Sequence, residues 1–157
     1  MTIGDKVLYL VTHIDTPIPR HRHWALQWRL ERKRCFADTH PAVRVLETTT
    51  SVNNYESPFL INPGPRTTSA TPEGNLAVFP VAKLTLEQRK ELEQIAWNVG
   101  VVRPDGEFNC QNWAAAVLAV AVARGMLKEV AVLEVLNEAL KDQPSGYLPA
   151  VPLADAQ

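Results

Sequence analysis

From Trp113 to Ala123 the chain reads WAAAVLAVAVA, eleven apolar residues without a polar interruption. A bilayer span needs about 20 such residues, so this run is too short to cross a membrane. A helix that is apolar almost all round must instead be covered on several sides by the rest of its domain. The reading is a central helix from about Cys110 to Arg124, stopped by Gly125. Whatever else the chain builds has to wrap that element.

The material available for wrapping changes period along the chain. Lys6 to Thr12 (KVLYLVT) is rich in β-branched and aromatic residues and predicts a first strand. Asp15-Thr16-Pro17-Ile18-Pro19 breaks it. His23 to Glu31 (HWALQWRLE) alternates: Trp24, Leu26, Trp28 and Leu30 share one face, while His23, Ala25, Gln27 and Arg29 share the other. Val43 to Ser51 predicts one further strand, and Tyr55 to Ile61 a short one. Asn62 to Glu73, with three prolines, reads as a loop. Asn75 to Val81 reads as a last strand, with Pro80 pointing to a sheet edge.

After residue 84 the pattern is helical. Thr85-Leu86-Glu87-Gln88 is a capping-box sequence. It opens a helix to about Asn98, with Leu92, Ile95, Ala96 and Val99 as its buried stripe and Gly100 at its C-terminal cap. A third helix, about Lys128 to Leu140, has Val130, Leu133, Leu136 and Leu140 on one face. Strands first and helices afterwards predict an α+β domain: an antiparallel sheet packed on a buried central helix, with two further helices. The expected organisation is a single domain over residues 1–143 and a loosely ordered tail over 144–157, with no repeat and no linker.

A chain of 157 residues with 46% hydrophobic and 21% charged residues has the composition of one globular core. The net charge of -1 gives the molecule as a whole no strong pull toward nucleic acid or membrane. Cys35 and Cys110 are the two cysteines and make no disulfide framework. The short apolar run near the N-terminus does not fit a signal peptide. The expectation is a cytoplasmic protein with both thiols reduced. The four histidines and two cysteines show no metal-ligand spacing, and no glycine-rich phosphate loop occurs, so no metal or cofactor is expected.

The doorway of the central helix carries the most specific chemistry. It reads EFNCQNWAAAVL, residues 107–118, with one of the two thiols among three amides. Asn109 is a favoured N-cap residue, which makes Cys110 the first helical residue. There the unpaired backbone N–H groups and the helix dipole favour an anion such as a thiolate. The same N–H groups can receive an oxyanion, with side-chain help from Gln111, Asn112 or Asn109. A buried, inert cysteine is the plainer reading of Cys110 alone; the flanking amides favour the nucleophile. A thiol nucleophile uses an imidazole base. His23 opens a strand on its polar face, and the small Ala25 beside it would let a helix approach that face. His21 shares its parity and competes with it. His13 ends a strand and His40 precedes Pro41, so both read as structural or solvent-facing. For the group that orients the imidazole, Glu47 is preferred, with Thr48, Gln27 and Asp105 as weaker candidates.

His23-Trp24-Ala25-Leu26 on a strand, followed about ninety residues later by Asn109-Cys110-Gln111-Asn112-Trp113 at a helix start, resembles the permuted papain-like group. That group includes circularly permuted NlpC/P60 and lecithin:retinol acyltransferase-like proteins. The chain is also similar to fungal proteins carrying His-Trp and Asn-Cys-Gln-x-Trp in this order. The resemblance implies a permuted papain-like fold, a nucleophile at Cys110, a base at His23, and acyl transfer through a covalent acyl-cysteine by a thiol hydrolase or acyltransferase. The chain departs from that pattern after the histidine strand. No second histidine lies on the following strand, since His40 falls before it.

A basic segment runs from Arg20 to Arg34 and contains Arg22, Arg32 and Lys33, with Trp24 and Trp28 interleaved. Such residues serve phosphate contact and base stacking. They motivate a second reading in which the acyl donor is an aminoacyl-tRNA, as in fungal cyclodipeptide synthases. The plainer reading keeps both tryptophans in the core and makes Arg32-Lys33-Arg34 a solvated turn. A third reading is a non-catalytic binding module on the same fold. Substrate identity and oligomeric state are not legible in the sequence.

Overall fold

The computed structural model describes residues 4–14, 18, 21–30, 42–51, 59–70, 76–101 and 110–141. The expected loose tail, the Asn109 cap, Asp105, Cys35, His40, Arg20 and the Arg32–Arg34 turn lie outside these residues.

The architecture is α+β. Its strands are β1 (Lys6–His13), β2 (Trp24–Arg29), β3 (Ala42–Leu46), β4 (Thr49–Ser51), β5 (Phe59–Ile61), β6 (Arg66–Ser69) and β7 (Leu76–Leu84). The helices are α1 (Leu86–Asn98), α2 (Cys110–Ala123) and α3 (Glu129–Ala139). A five-stranded sheet runs in the order β6-β3-β2-β1-β7, and β4 with β5 forms a second, two-stranded sheet. All the pairings are antiparallel.

The alternation in β2 sets the layers. Trp24, Leu26 and Trp28 join Leu8, Leu10, Leu46, Val81 and Leu84 against Trp113, Ala114, Val117, Leu118 and Ala121 of α2. Both tryptophans are therefore core residues. Helix α2 is enclosed from Gln111 through Ala119, as its unbroken apolar character requires. The opposite face of β2 is not simply polar. Ala25 is buried there in a small cluster with Val43 and Val45. Ala25 thus does not receive α2, which packs on the tryptophan face.

Helix ends follow local chemistry. Thr85 Oγ1 accepts from the Gln88 N–H at 3.2 Å, while Gln88 Oε1 accepts from the Thr85 N–H at 2.9 Å, closing the expected capping box. Replacing Thr85 by alanine is expected to cost about 1 kcal/mol, read as a lower midpoint in urea unfolding. At the other end of α1 the cap residue is Val99, and Gly100 beyond it is not in the left-handed region. Gly125 is, at φ 75°. Its N–H donates to the Val122 carbonyl and the Met126 N–H to the Ala121 carbonyl, at 2.9 and 3.0 Å. This is a Schellman closure of α2.

Three expectations are corrected. The single strand over Val43–Ser51 is two strands, β3 and β4, in different sheets. Glu47 and Thr48 form the corner between them, and both are buried. The loop over Asn62–Glu73 contains β6, an exposed edge strand paired to β3. A short Thr-rich edge strand beside several prolines has the composition of a loop. Finally, α3 buries Val132, Val135 and Leu136 and leaves Val130 and Leu133 exposed. Apolar residues on several of its faces left the choice to tertiary packing. Pro80 does lie on an edge strand: β7 ends the sheet. The β1–β7 register shifts where Leu8 pairs Ala82 but Tyr9 pairs Pro80, which leaves Val81 as the extra residue.

Candidate functional site

The site lies where β2 begins. His23 is the residue just before that strand, and its ring belongs to the face that Ala25 occupies. The β2–β3 pairing sets Leu26 opposite Leu46, so the next residue, Glu47, comes up beside the start of β2. His23 Nε2 and Glu47 Oε2 are 2.5 Å apart. The preferred orienting carboxylate is thus in contact with the preferred base. Thr48 is instead buried in the chain corner after Glu47, and Gln27 lies four residues beyond His23, further along β2.

Glu47 has a second partner that sequence reading missed. Arg66 Nη2 donates to Glu47 Oε1, so each carboxylate oxygen has its own partner. Arg66 is cross-strand from Val45, two residues before Glu47. The signal was present only as an arginine before two threonines, inside a stretch whose prolines spoke for a loop.

His13 also comes to the site. Its backbone N–H donates to the His23 carbonyl at 2.9 Å, and the two rings are 5.2 Å apart, inclined at 60°. Of the two readings its place at a strand end allowed, structural or solvent-facing, these contacts fit the first. His21 is exposed and forms a local turn with Ile18.

Cys110 is the first residue of α2 and is partly accessible. Its Sγ lies 3.8 Å from the Arg22 carbonyl oxygen. That carbonyl belongs to the peptide linking Arg22 to His23, so the thiol sits one peptide unit from the histidine's own backbone. Gln111 makes the same connection, with Nε2 donating to the Arg22 carbonyl at 3.0 Å. Gln111 is fully enclosed, as is Asn112. Gln111 therefore clamps the helix start to the strand start. Among the described residues, the backbone N–H groups of the first helical turn are candidate oxyanion donors at this end, since they have no carbonyl four residues earlier within the helix.

The described part of the basic segment reaches the site through His23 and the Arg22 carbonyl. Trp24 and Trp28 are enclosed and offer no stacking surface. Among its positively charged residues within the described parts, Arg29 is exposed and Arg22 half-buried. Among the described residues there is no group of three or more metal-ligating side chains. No helix among them is long and apolar enough to cross a membrane. No protein-family model, no curated protein and no solved structure matches the chain.

Proposed function

We propose that the chain is a cysteine-dependent acyl-transfer enzyme, a thiol hydrolase or acyltransferase, with Cys110 as nucleophile, His23 as base and Glu47 as the orienting carboxylate. The observation that carries this reading is the division of labour on one imidazole. Nε2 is engaged by Glu47, which leaves Nδ1 as the nitrogen able to take a proton. The Cys110 sulfur is 3.8 Å from the Arg22 carbonyl oxygen, at the peptide that joins Arg22 to His23. A thiol at a helix start, a histidine just before one strand and a carboxylate just after the next supply the three roles such chemistry uses.

In this reading Sγ attacks the carbonyl carbon of an ester, thioester or amide while its proton passes to His23 Nδ1. The oxyanion forms against the first-turn N–H groups of α2. Collapse breaks the bond to the leaving group, which takes the proton from Nδ1, and an acyl-Cys110 thioester remains. Water or an amine then attacks that thioester, giving its proton to Nδ1 and returning the sulfur as the leaving thiolate, which regains the proton.

Peptide-resolved mass spectrometry with iodoacetamide at neutral pH tests the first step. Cys110 in the folded chain should label faster than Cys110 in the same chain unfolded in urea; equal or slower labelling overturns the activated nucleophile. Glu47→Gln gives a sharper check, because an amide can present its NH₂ to Nε2 and stabilise the wrong tautomer. The expected loss of turnover on an activated ester is roughly 10²–10⁴-fold, the range set by positioned bases and by the equivalent change in a serine triad.

A further inference from the structure

Arg66 stands outside the roles assigned above, yet it holds the group on which His23 depends. We propose that Arg66 is a positioning residue: by binding Glu47 Oε1 it commits Oε2 to His23 and holds the neutral imidazole in the form protonated at Nε2. The inference deepens the acyl-transfer reading and rests on it for its functional meaning.

The physical argument begins with burial. The Glu47 side chain is only 9% exposed, against 51% for Arg66 and 32% for His23. A carboxylate taken out of water needs a cation and hydrogen bonds to stay charged. Neutral His23 cannot supply the charge, so Arg66 does. With the charge held, Oε2 only accepts, and the nitrogen 2.5 Å from it has to carry the hydrogen. Nδ1 is then the free lone pair. Without Arg66, the least costly response of an enclosed carboxylate is to take up a proton. A carboxylic acid donates, Nε2 becomes the acceptor, and the ring hydrogen moves to Nδ1. That is the nitrogen the mechanism needs empty.

The fold places Arg66 for this task through its surroundings. The Asn62 Nδ2 donates to the Ala96 carbonyl at 2.8 Å, and the Gly64 N–H donates to Asn62 Oδ1 at 3.1 Å. Gly64 adopts φ 85° beneath the Trp97 ring. These contacts tie the segment entering β6 to α1. The neighbouring Arg44, with Nη1 donating to Thr67 Oγ1 at 3.1 Å and Nε to Glu93 Oε1 at 2.5 Å, joins the same strand pair to that helix. A buried carboxylate is thus served by a guanidinium whose own strand is anchored.

The test reads the tautomer directly. Nitrogen-15 NMR of the imidazoles, assigned through a His23→Gln variant and recorded where His23 is neutral, should show the Nε2–H form in the unaltered protein. Arg66→Met should shift it toward Nδ1–H and slow Cys110 alkylation on the order of tenfold or more, a share of the roughly 10²–10⁴ that a positioned base contributes. Arg66→Lys, which keeps a positive charge, should hold the Nε2–H form. An Nδ1–H form in the unaltered protein overturns the inference without any variant, so a variant that does not fold leaves the test intact. A folded Arg66→Met that keeps the Nε2–H form also overturns it. Slow Cys110 labelling in the unaltered protein would sink acyl transfer alone, since the tautomer is read without reference to the thiol.

Discussion

Replacing Cys110 with alanine should abolish formation of an acyl adduct on this protein and lower turnover of an activated ester by about 10⁴–10⁶-fold, the scale seen when a nucleophile acting within a catalytic unit is removed. Intact-mass spectrometry after mixing with the ester provides the direct reading: an acylated species in the unaltered protein and none in the variant. The fold should survive, because the link from α2 to the Arg22 carbonyl is also made by Gln111 Nε2, at 3.0 Å. Unchanged thermal unfolding together with lost acylation separates chemistry from structure. A variant that turns over the ester as well as the parent would argue for a non-catalytic binding module, in which Cys110 is a small apolar residue packing a helix end.

The largest effect on stability is expected at Trp113. Its side chain is completely enclosed in the core between α2 and the sheet, and its Nε1 donates to the Val99 carbonyl at 3.3 Å, linking α2 to the end of α1. Trp113→Ala removes the whole indole from a place that α1 and the sheet cannot both fill. The cost for such a truncation is about 3–5 kcal/mol, against a total stability on the order of 5–15 kcal/mol for a domain. The variant should unfold at much lower urea concentration or fail to accumulate as folded protein. Trp113→Phe keeps most of the volume and loses only the hydrogen bond, so its midpoint should fall far less. Equal losses for Ala and Phe would mean that the hydrogen bond, not packing, dominates there.

Periodicity was a sound guide where one face of an element is apolar and the other is not. β1 and β2, the α1 capping box and the Gly125 stop were all legible for that reason, because each depends on chemistry within a few residues. The side of the sheet on which α2 packs was not. The small Ala25 argued for an approach to the polar face of β2, whereas Trp24 and Trp28 direct α2 to the apolar one. The exposed Val130 and Leu133 make the same point for α3. In the site, Glu47 was preferred because a carboxylate would stabilise an imidazolium, against the plainer reading of a solvated surface glutamate, and it does meet His23. Arg66 and His13 did not stand out, because their importance comes from cross-strand register, which a single sequence does not display. Gln111 was visible as a polar residue at a helix start, but its engagement with the Arg22 carbonyl depends on the docking of α2 against β2.

The spacing along the chain of the three contacts at the site bears on the order in which it is assembled. The imidazole and its carboxylate are 24 residues apart, and the guanidinium follows 19 residues after that carboxylate. The sulfur touches a carbonyl 88 residues upstream of it. During synthesis from the N-terminus, the ribosome would release the charged trio as part of one sheet well before the thiol emerges. The sulfur would join it only once the helical half has docked. Biosynthetic order would then keep the thiol away from the imidazole until the chain around it has closed.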